Sequence, residues 1–533
     1  MVASAQDTQA NSDSNIVSRL ASEDRVAWYR KPNLRYLYLM LFPTCMGIEL
    51  TSGFDSQMIN ALQIVPSWIA FFDNPQGSLK GIIAAAYSLG AVASLPFIPM
   101  ITERWGRRWA IFIGSVIMIV GAIVQATSQN VVQYIIARLI LGFGIPMCIV
   151  GGSSLIGELG YPKERPVLTS LFNVSYFVGQ ILAAGICLRT NEIKSDWAWR
   201  LPSILQAAPS LMQIATVFLL PESPRFLIAK GRVDEAHNIL RKYHAEGEHD
   251  TEFVRAELAQ IQTTLALEQE ASKRSWIDLV RGAGNRRRLL VTVLLGLFTQ
   301  WSGNTLISYY LGDILKMIGQ TSSIFQQRLN LGLAVWGSVV ALAAAVVVTK
   351  FKRRTMYFAC TISLLLCYIG WTVATERSVT AKNAGHPNQA ANIAAIFFIF
   401  AYSPCYNIGY NALSYTYMVE IWPYLERARG IAVFQLFGRL AGFFTTFVNP
   451  IGMQNISWRF LITYCAWLAM EIVCVYFFFP ETAGRTLEEL TFLFDQEKSE
   501  QVKAATDRAL HEDATSHSEK KEDDIIMTES VHV

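Results

Sequence analysis

Residues 104–153 read RWGRRWAIFIGSVIMIVGAIVQATSQNVVQYIIARLILGFGIPMCIVGGS. Arg104, Arg107 and Arg108 precede an apolar run at 109–127, and the polar residues 128–130 separate it from a second apolar run at 131–153. Each run is close to the ~20 residues that an α-helix needs to cross a hydrocarbon core about 30 Å thick. A helix is the element that satisfies its own backbone polar groups there. The stretch therefore reads as two membrane-crossing helices, with a basic turn on one side and a short polar turn on the other.

The same pattern recurs in both directions. Twelve apolar runs lie at roughly 34–57, 78–101, 109–127, 131–153, 167–188, 200–220, 289–310, 328–349, 354–374, 392–416, 430–450 and 458–479. Composition agrees: of 533 residues, 52% are hydrophobic and 12% aromatic, with a mean hydropathy of +0.29. Charged residues make up 16%, against about 25% in soluble domains. That is too little charge for the surface of a soluble enzyme and too much apolar content for a disordered chain. A net charge of +3 does not point to nucleic acid. The expected fold is an all-α membrane protein with twelve transmembrane helices in two six-helix halves.

The expected organisation is a tail at 1–33, a first bundle at 34–220, a hydrophilic linker at 221–288, a second bundle at 289–479 and a charged tail at 480–533. Within the linker, 251–270 reads as an amphipathic helix carrying Phe253, Leu258, Ile261, Leu265 and Leu267. Lys and Arg concentrate in the linker, at 102–108, at 350–354 (Lys350, Lys352, Arg353, Arg354) and at 424–429 (Arg427, Arg429). The segments 58–77 and 128–130 carry no Lys or Arg, while Arg189, Lys194, Arg377 and Lys382 fall on that other side. The balance places both termini and the linker in the cytoplasm. The first span reads as the insertion signal, since no short apolar segment with a cleavage site precedes it. The eight cysteines all fall in apolar runs, spaced neither as zinc ligands nor as a secreted disulfide framework, and read as small buried side chains. No metal, nucleophilic-triad or phosphate-loop pattern occurs, so neither an enzyme nor a cofactor is expected.

The halves echo each other. Glu158, Pro162 and Arg165 in the first correspond to Glu420, Pro423 and Arg427 in the second, just past the fourth run of each. The first half ends in Pro221-Glu222-Ser223 and the second in Pro480-Glu481-Thr482, and the basic turn at 104–108 returns at 350–354. Such repeats in a helical membrane protein indicate a duplicated transporter scaffold.

With these residues in place, the sequence resembles the sugar porter branch of the major facilitator superfamily, and within it the fungal lactose and cellodextrin permease-like subgroup. The likeness covers about 45–495. It rests on Glu103-Arg104-Trp105-Gly106-Arg107-Arg108, on Pro221-Glu222-Ser223-Pro224-Arg225-Phe226-Leu227, and on the stretch from Pro480-Glu481-Thr482 to Leu487-Glu488-Glu489. It rests also on Gln300-Trp301-Ser302-Gly303-Asn304 followed by Tyr309-Tyr310. The chain departs from the family at Pro99 (usually Gly), Thr349 (Asp), Lys352 (Gly), Ala483 (Lys), Tyr415 (often Trp), and Thr299 and Thr305, where hexose transporters usually have Gln and Asn. These departures bear on substrate and gating more than on fold.

An acid inside a span is costly and is a functional candidate by default. Asp55 is such an acid; it either caps a helix in an aqueous mouth or does chemistry. The resemblance implies the second, since the family's proton symporters place their coupling Asp here, with Arg138 as its counter-charge. Sugar recognition needs neutral donors and acceptors. The resemblance implies Gln180 as a sugar ligand, and Gln300, Asn304, Tyr309, Asn411 and Tyr415 fit the same role; for each the alternative is an interhelical hydrogen bond. Glu103, Arg104, Arg107, Arg108, Glu158, Arg165, Glu222, Arg225, Glu420 and Arg427 read either as ion pairs between the halves that close the cytoplasmic side or as a solvated basic face. Glu49, Arg439 and Glu471 have no assigned role. The expected activity is secondary active transport of a mono- or disaccharide by alternating access, coupled to protons, with the lipid bilayer as the other partner. The family's usual site is the plasma membrane, and the working unit is expected to be a monomer. Transport of another small metabolite, inward or outward, and a sugar sensor with little flux are the alternatives; the short tail favours a carrier over a sensor.

Overall fold

The computed structural model describes residues 17, 20, 21, 23–247, 251–272, 276–347 and 351–482. Most of the N-terminal tail, Thr349, Lys350 and the C-terminal tail from 483 lie outside the described residues.

The described residues form helices and no strand. The first half comprises α1 (Pro32–Leu62), α2 (Gly77–Ser94 and Phe97–Arg104), α3 (Arg107–Ala126), α4 (Val131–Leu159), α5 (Arg165–Thr190) and α6 (Trp197–Leu205 and Ala208–Val217). The second comprises α7 (Ala283–Trp301 and Asn304–Met317), α8 (Ser323–Val347), α9 (Arg353–Asn383), α10 (Gln389–Ile421), α11 (Tyr424–Ile456) and α12 (Phe460–Phe478). By length and apolarity alone, 8 continuous stretches qualify, and the bent α2 makes 9. One stretch, Arg429–Phe478, turns at Ser457–Arg459 and makes two crossings. The broken α6 and the continuous α8 complete the twelve.

Most helices outrun the apolar runs that announce them, α2 (77–104 against 78–101) and α9 (Arg353–Asn383 against 354–374) among them. An apolar run measures the hydrocarbon thickness, whereas the helix continues into the headgroup region. Breaks fall where the local chemistry demands them. α2 bends by 50° at Leu95–Pro96, because proline cannot donate to the preceding turn. α7 breaks at Gly303, whose φ of +97° suits glycine alone among common residues. α1 and α10 each contain a wider turn, at Phe42–Met46 and Asn407–Asn411.

Large apolar side chains such as Ile123, Leu366, Ile393, Phe397 and Phe477 point outward and are exposed. In water such a surface would aggregate; on this fold it faces lipid. Each half has its own interior, with Ala84 of α2 reaching the second and Tyr309 of α7 packed against the first. Tyr310, Tyr357, Tyr368, Trp371, Tyr417 and Leu468 centre the second. The first is packed around Leu37, Ile48 and Leu155 at one end and Trp68, Phe72, Tyr134 and Trp199 at the other.

The linker forms two main helices, Val233–His244 and Glu252–Ser272. Glu246 caps the start of α1 by accepting from the backbone N–H of Asn33 at 2.9 Å and of Leu34 at 3.0 Å. The buried His244 meets Glu257 at 2.7 Å and the Leu159 carbonyl at 3.2 Å. These contacts fasten the linker to the first half.

The halves are joined at the end of the bundle opposite the basic turns. There Lys80 of α2 donates to both oxygens of Asp313 of α7, at 2.6 and 2.5 Å. Gln57 and Asn60 of α1 donate to the Asn330 side chain of α8 at 2.7 and 2.9 Å. Gln327 donates to the Ala61 carbonyl at 2.8 Å, and Asn191, just after α5, to Ser323 at 3.2 Å.

Candidate functional site

Two glycines set the site. A Cβ on Gly53 of α1 would sit 1.9 Å from the Tyr176 carbonyl oxygen, and one on Gly179 of α5 would sit 2.0 Å from that of Leu50. α1 and α5 therefore touch backbone to backbone, which places Asp55 and Gln180 on adjoining surfaces. Gly179→Val is expected to drive these helices apart and lose the folded carrier. Parental amounts of the variant in the membrane, with an unshifted melting temperature, would contradict the contact.

Arg138 of α4 donates through Nη1 to Asp55 Oδ1 at 2.5 Å, with both side chains essentially shielded from solvent, at 0% and 1% exposure. Its guanidinium also lies 5.0 Å from the centre of the Tyr87 ring of α2. Asp55 Oδ2 and Arg138 Nε and Nη2 are buried with no hydrogen-bond partner among the described residues. A pair this incompletely bonded is costly to bury, so its retention is not accounted for by packing.

Next along α1, Ser56 accepts from the Tyr176 hydroxyl at 3.1 Å. Gln180 donates to that same hydroxyl at 3.5 Å. While Tyr309 of α7 packs against the cluster that holds Phe54 and Met58, the structure joins Gln180 to α1 through two residues, Ser56 and Tyr176, that the sequence reading missed. Their signal was available: Tyr176 lies one helical turn before Gln180, and Ser56 is next to Asp55. Gln300 lies against Gly442 of α11, and Asn304, just past the α7 break, accepts from Ser308 at 3.3 Å. On α10, Asn411 donates to Asn407 at 2.6 Å, and the exposed Tyr415 accepts from Gln435 of α11. Asn411 and Tyr415 are not bonded to the Gln180 cluster.

At the basic end the two halves repeat one arrangement. Arg107 binds Glu158 at 3.1 Å, and Arg353 binds Glu420 at 3.2 Å. Glu222 accepts from the backbone N–H groups of Arg107 (3.1 Å) and Arg108 (3.3 Å), and Glu481 from those of Arg353 (3.0 Å) and Arg354 (3.1 Å). The acid that ends each half thus caps the N-terminus of that half's third helix, where the helix dipole favours it. Burial pushes the Glu222 carboxyl above the usual carboxylate range, against the N–H donors of Ser223, Arg107 and Arg108. Arg165 donates to the Gly160 carbonyl at 3.1 Å and pairs with Glu257 of the linker at 3.7 Å. Arg427 donates to the Trp422 carbonyl at 3.4 Å. Glu103 and Arg104 are exposed, and Arg225 packs in the Ser223–Ala229 region that begins the linker. In this conformation the ion pairs named here lie inside one half or between it and the linker; none of them bridges the halves.

Glu471 of α12, unassigned by the sequence, accepts from the Tyr410 hydroxyl at 2.8 Å in the core of the second half. All eight cysteines are free, and Cys405, Cys465 and Cys474 are only half-buried.

Comparison with known proteins agrees with this architecture. An MFS-type transporter of Aspergillus oryzae, oryC, is 29% identical over 445 residues, 82% of each chain. A high-affinity glucose transporter of Kluyveromyces lactis is 27% identical over 486 residues, covering 87% of this chain and 86% of its own. Among solved structures, the inward-open conformation of the xylose transporter XylE from E. coli superposes with a TM-score of 0.69 at 21% identity, over 86% of this chain and 99% of that one. The family described as "Sugar (and other) transporter" matches residues 40–494. This chain, an integral multi-pass membrane protein of the major facilitator fold, is a member of that family.

Proposed function

We propose that the protein carries a neutral mono- or disaccharide together with a proton, by alternating access of one central site. The observation that carries this reading is the adjacency of two polar centres on α1. Asp55 is held by Arg138 on one side, and the next residue, Ser56, holds the Tyr176 hydroxyl that Gln180 also meets on the other. A proton arriving at Asp55 breaks the ion pair, and the strain passes directly to a residue bonded to the sugar-facing hydroxyl. The glucose transporters among its relatives, and a proton:xylose symporter of the same fold at a TM-score of 0.66, support the same reading.

The bias of Lys and Arg supports the basic end as cytoplasmic, with both termini there. On that assignment the halves are joined at the outer end, and this conformation faces the cytoplasm. Arg107, Arg108, Glu158, Arg353 and Glu420 would exchange partners between halves when the inner side closes. The plasma membrane and a one-chain working unit complete the reading.

Uptake of labelled mono- and disaccharides by cells expressing the protein, with and without a proton gradient, tests the proposal. Gln180→Ala and Gln300→Ala are each expected to raise the apparent KM roughly tenfold or more at unchanged surface amount, the worth of a hydrogen bond to substrate. Parental kinetics in both variants would remove these amides from the site.

A further inference from the structure

Two buried amides at the end where the halves are joined lack hydrogen-bond partners. Gln63, in the turn just after α1, is 3% exposed, and neither its Nε2 nor its Oε1 is bonded among the described residues. Gln326 of α8 is fully shielded; its Nε2 donates to the Gln320 carbonyl at 2.6 Å, and its Oε1 has no partner among the described residues. An orphaned buried amide is costly, and native folds keep few of them.

Each amide lines a cavity. Gln63 forms part of the wall of one of about 440 Å³, and Gln326 part of the wall of a neighbour of about 370 Å³. The two cavities share Ile69, Asn74 and Lys316. Both volumes fall within the ~300–1,000 Å³ of small-molecule sites, which combine apolar walls with a few placed polar groups. Trp68, Pro450 and Met453 supply apolar wall to the larger one. The charged side chains that line the pair are Lys80, Lys316, Asp73 and Asp313. They sum to zero, and Lys80 already holds Asp313, so an ion finds no net attraction there. The larger cavity takes Gln63 and Lys80 from the first half and Asp313 and Met453 from the second. At its wall Gln454 donates to Gln76 at 3.4 Å, again across the halves. The cavity is therefore complete only while the halves meet at this end.

We propose that these adjoining cavities form a second binding site, apart from the Asp55–Gln180 centre, for a neutral polyhydroxy solute of disaccharide size arriving from the outer side. The outer side is the one opposite the basic turns; the inference rests on that assignment and not on which solute the central site carries. An amide offers both donors and an acceptor, which is what a hydroxyl matches, and Gln63 offers all of them unused. Because both halves build the wall, a solute bound here favours the observed conformation over one in which this end has opened. The site thus slows the carrier when the outside solute is abundant.

The test uses the full chain in intact cells, with a cysteine introduced by Thr321→Cys, an exposed position on the wall of the smaller cavity. A membrane-impermeant maleimide labels it, and the chain without Thr321→Cys gives the background. Lactose at about ten times its half-protecting concentration should cut the labelling rate about tenfold, and lactobionate, an anion of similar size, should protect far less. Gln63→Leu and Gln326→Leu should each raise the half-protecting concentration of lactose about tenfold, the worth of a hydrogen bond. Without sugar, the melting temperature of Gln63→Leu should hold or rise, since an apolar group replaces an orphaned polar one; a fold lost on substitution is thereby told apart from a site lost. Protection should persist in Gln180→Ala, which separates this site from the central one. No protection in the parent, protection lost in Gln180→Ala, or parental protection in both leucine variants would overturn the inference. Lactobionate protecting as well as lactose would overturn the neutral solute. None of these results bears on the sugar reading of the central site, which stands or falls on uptake.

Discussion

Asp55→Asn should still bind and exchange sugar yet fail to concentrate it. Asn keeps the shape and the carbonyl that accepts from Arg138 Nη1 at 2.5 Å, but it mimics the protonated acid in every state. The carrier then cycles without releasing a proton. The size of the loss follows from the driving force. A proton moving down about 100 mV releases roughly 2.3 kcal/mol, and about two pH units add roughly 2.7 kcal/mol. Together, about 5 kcal/mol supports three to four decades of accumulation for one proton per sugar. In the parent, accumulation should fall as the external pH rises toward the internal value; in Asp55→Asn it should stay near unity at every pH, while counterflow of labelled sugar persists. Accumulation by the variant with the parental pH dependence would make the protein a carrier whose Asp55 is only structural.

Reversing the charge at Lys80 should turn the resting population away from the observed conformation. Lys80 and Asp313 meet at the end where the halves are joined, with side chains 9% and 26% exposed. Lys80→Asp replaces that attraction between halves with repulsion. Because the pair is partly solvated, its worth is held to about 1–2 kcal/mol, a factor of roughly five to thirty in population. Thiol labelling of a cysteine introduced near Gln76 should rise accordingly, and Lys80→Asp combined with Asp313→Lys should restore the parental rate. Equal labelling of the parent and Lys80→Asp would show that the pair does not bias the equilibrium.

The parts of this molecule that were legible in its sequence are those for which a membrane sets a high cost. A charge in hydrocarbon must be paired; the family resemblance matches Asp55 with Arg138 before any coordinates, and the structure places them in contact. Twelve crossings could be counted because exposed backbone is excluded from lipid. Hydroxyls and amides carry no such penalty. Ser56, Tyr176 and Asn330 look like many other polar residues in spans, and only tertiary contact reveals what they join. Glu222 reads in the sequence as a gating or solvated charge and Glu481 only as part of a motif, because the sign of each acid is visible and its distance from the starts of α3 and α9 is not. They prove to be helix caps, more than a hundred residues from the amides they bind. The breaks in α2 and α7 had visible causes, Pro96 and Gly303, but a single proline or glycine does not say whether a span bends or stops.

The backbone contact between α1 and α5 at Gly53 and Gly179 has a consequence for how such a carrier diversifies. Asp55 and Gln180 ride on one rigid body, so a substitution that re-aims Gln180 toward a new solute also disturbs the helix that holds the proton acceptor. Lineages selected for a new sugar through the first half should drift in their energetic stoichiometry as a by-product. Changes confined to α7, α10 and α11 leave that body untouched, and they offer the path along which cargo can evolve while the energy source stays the same.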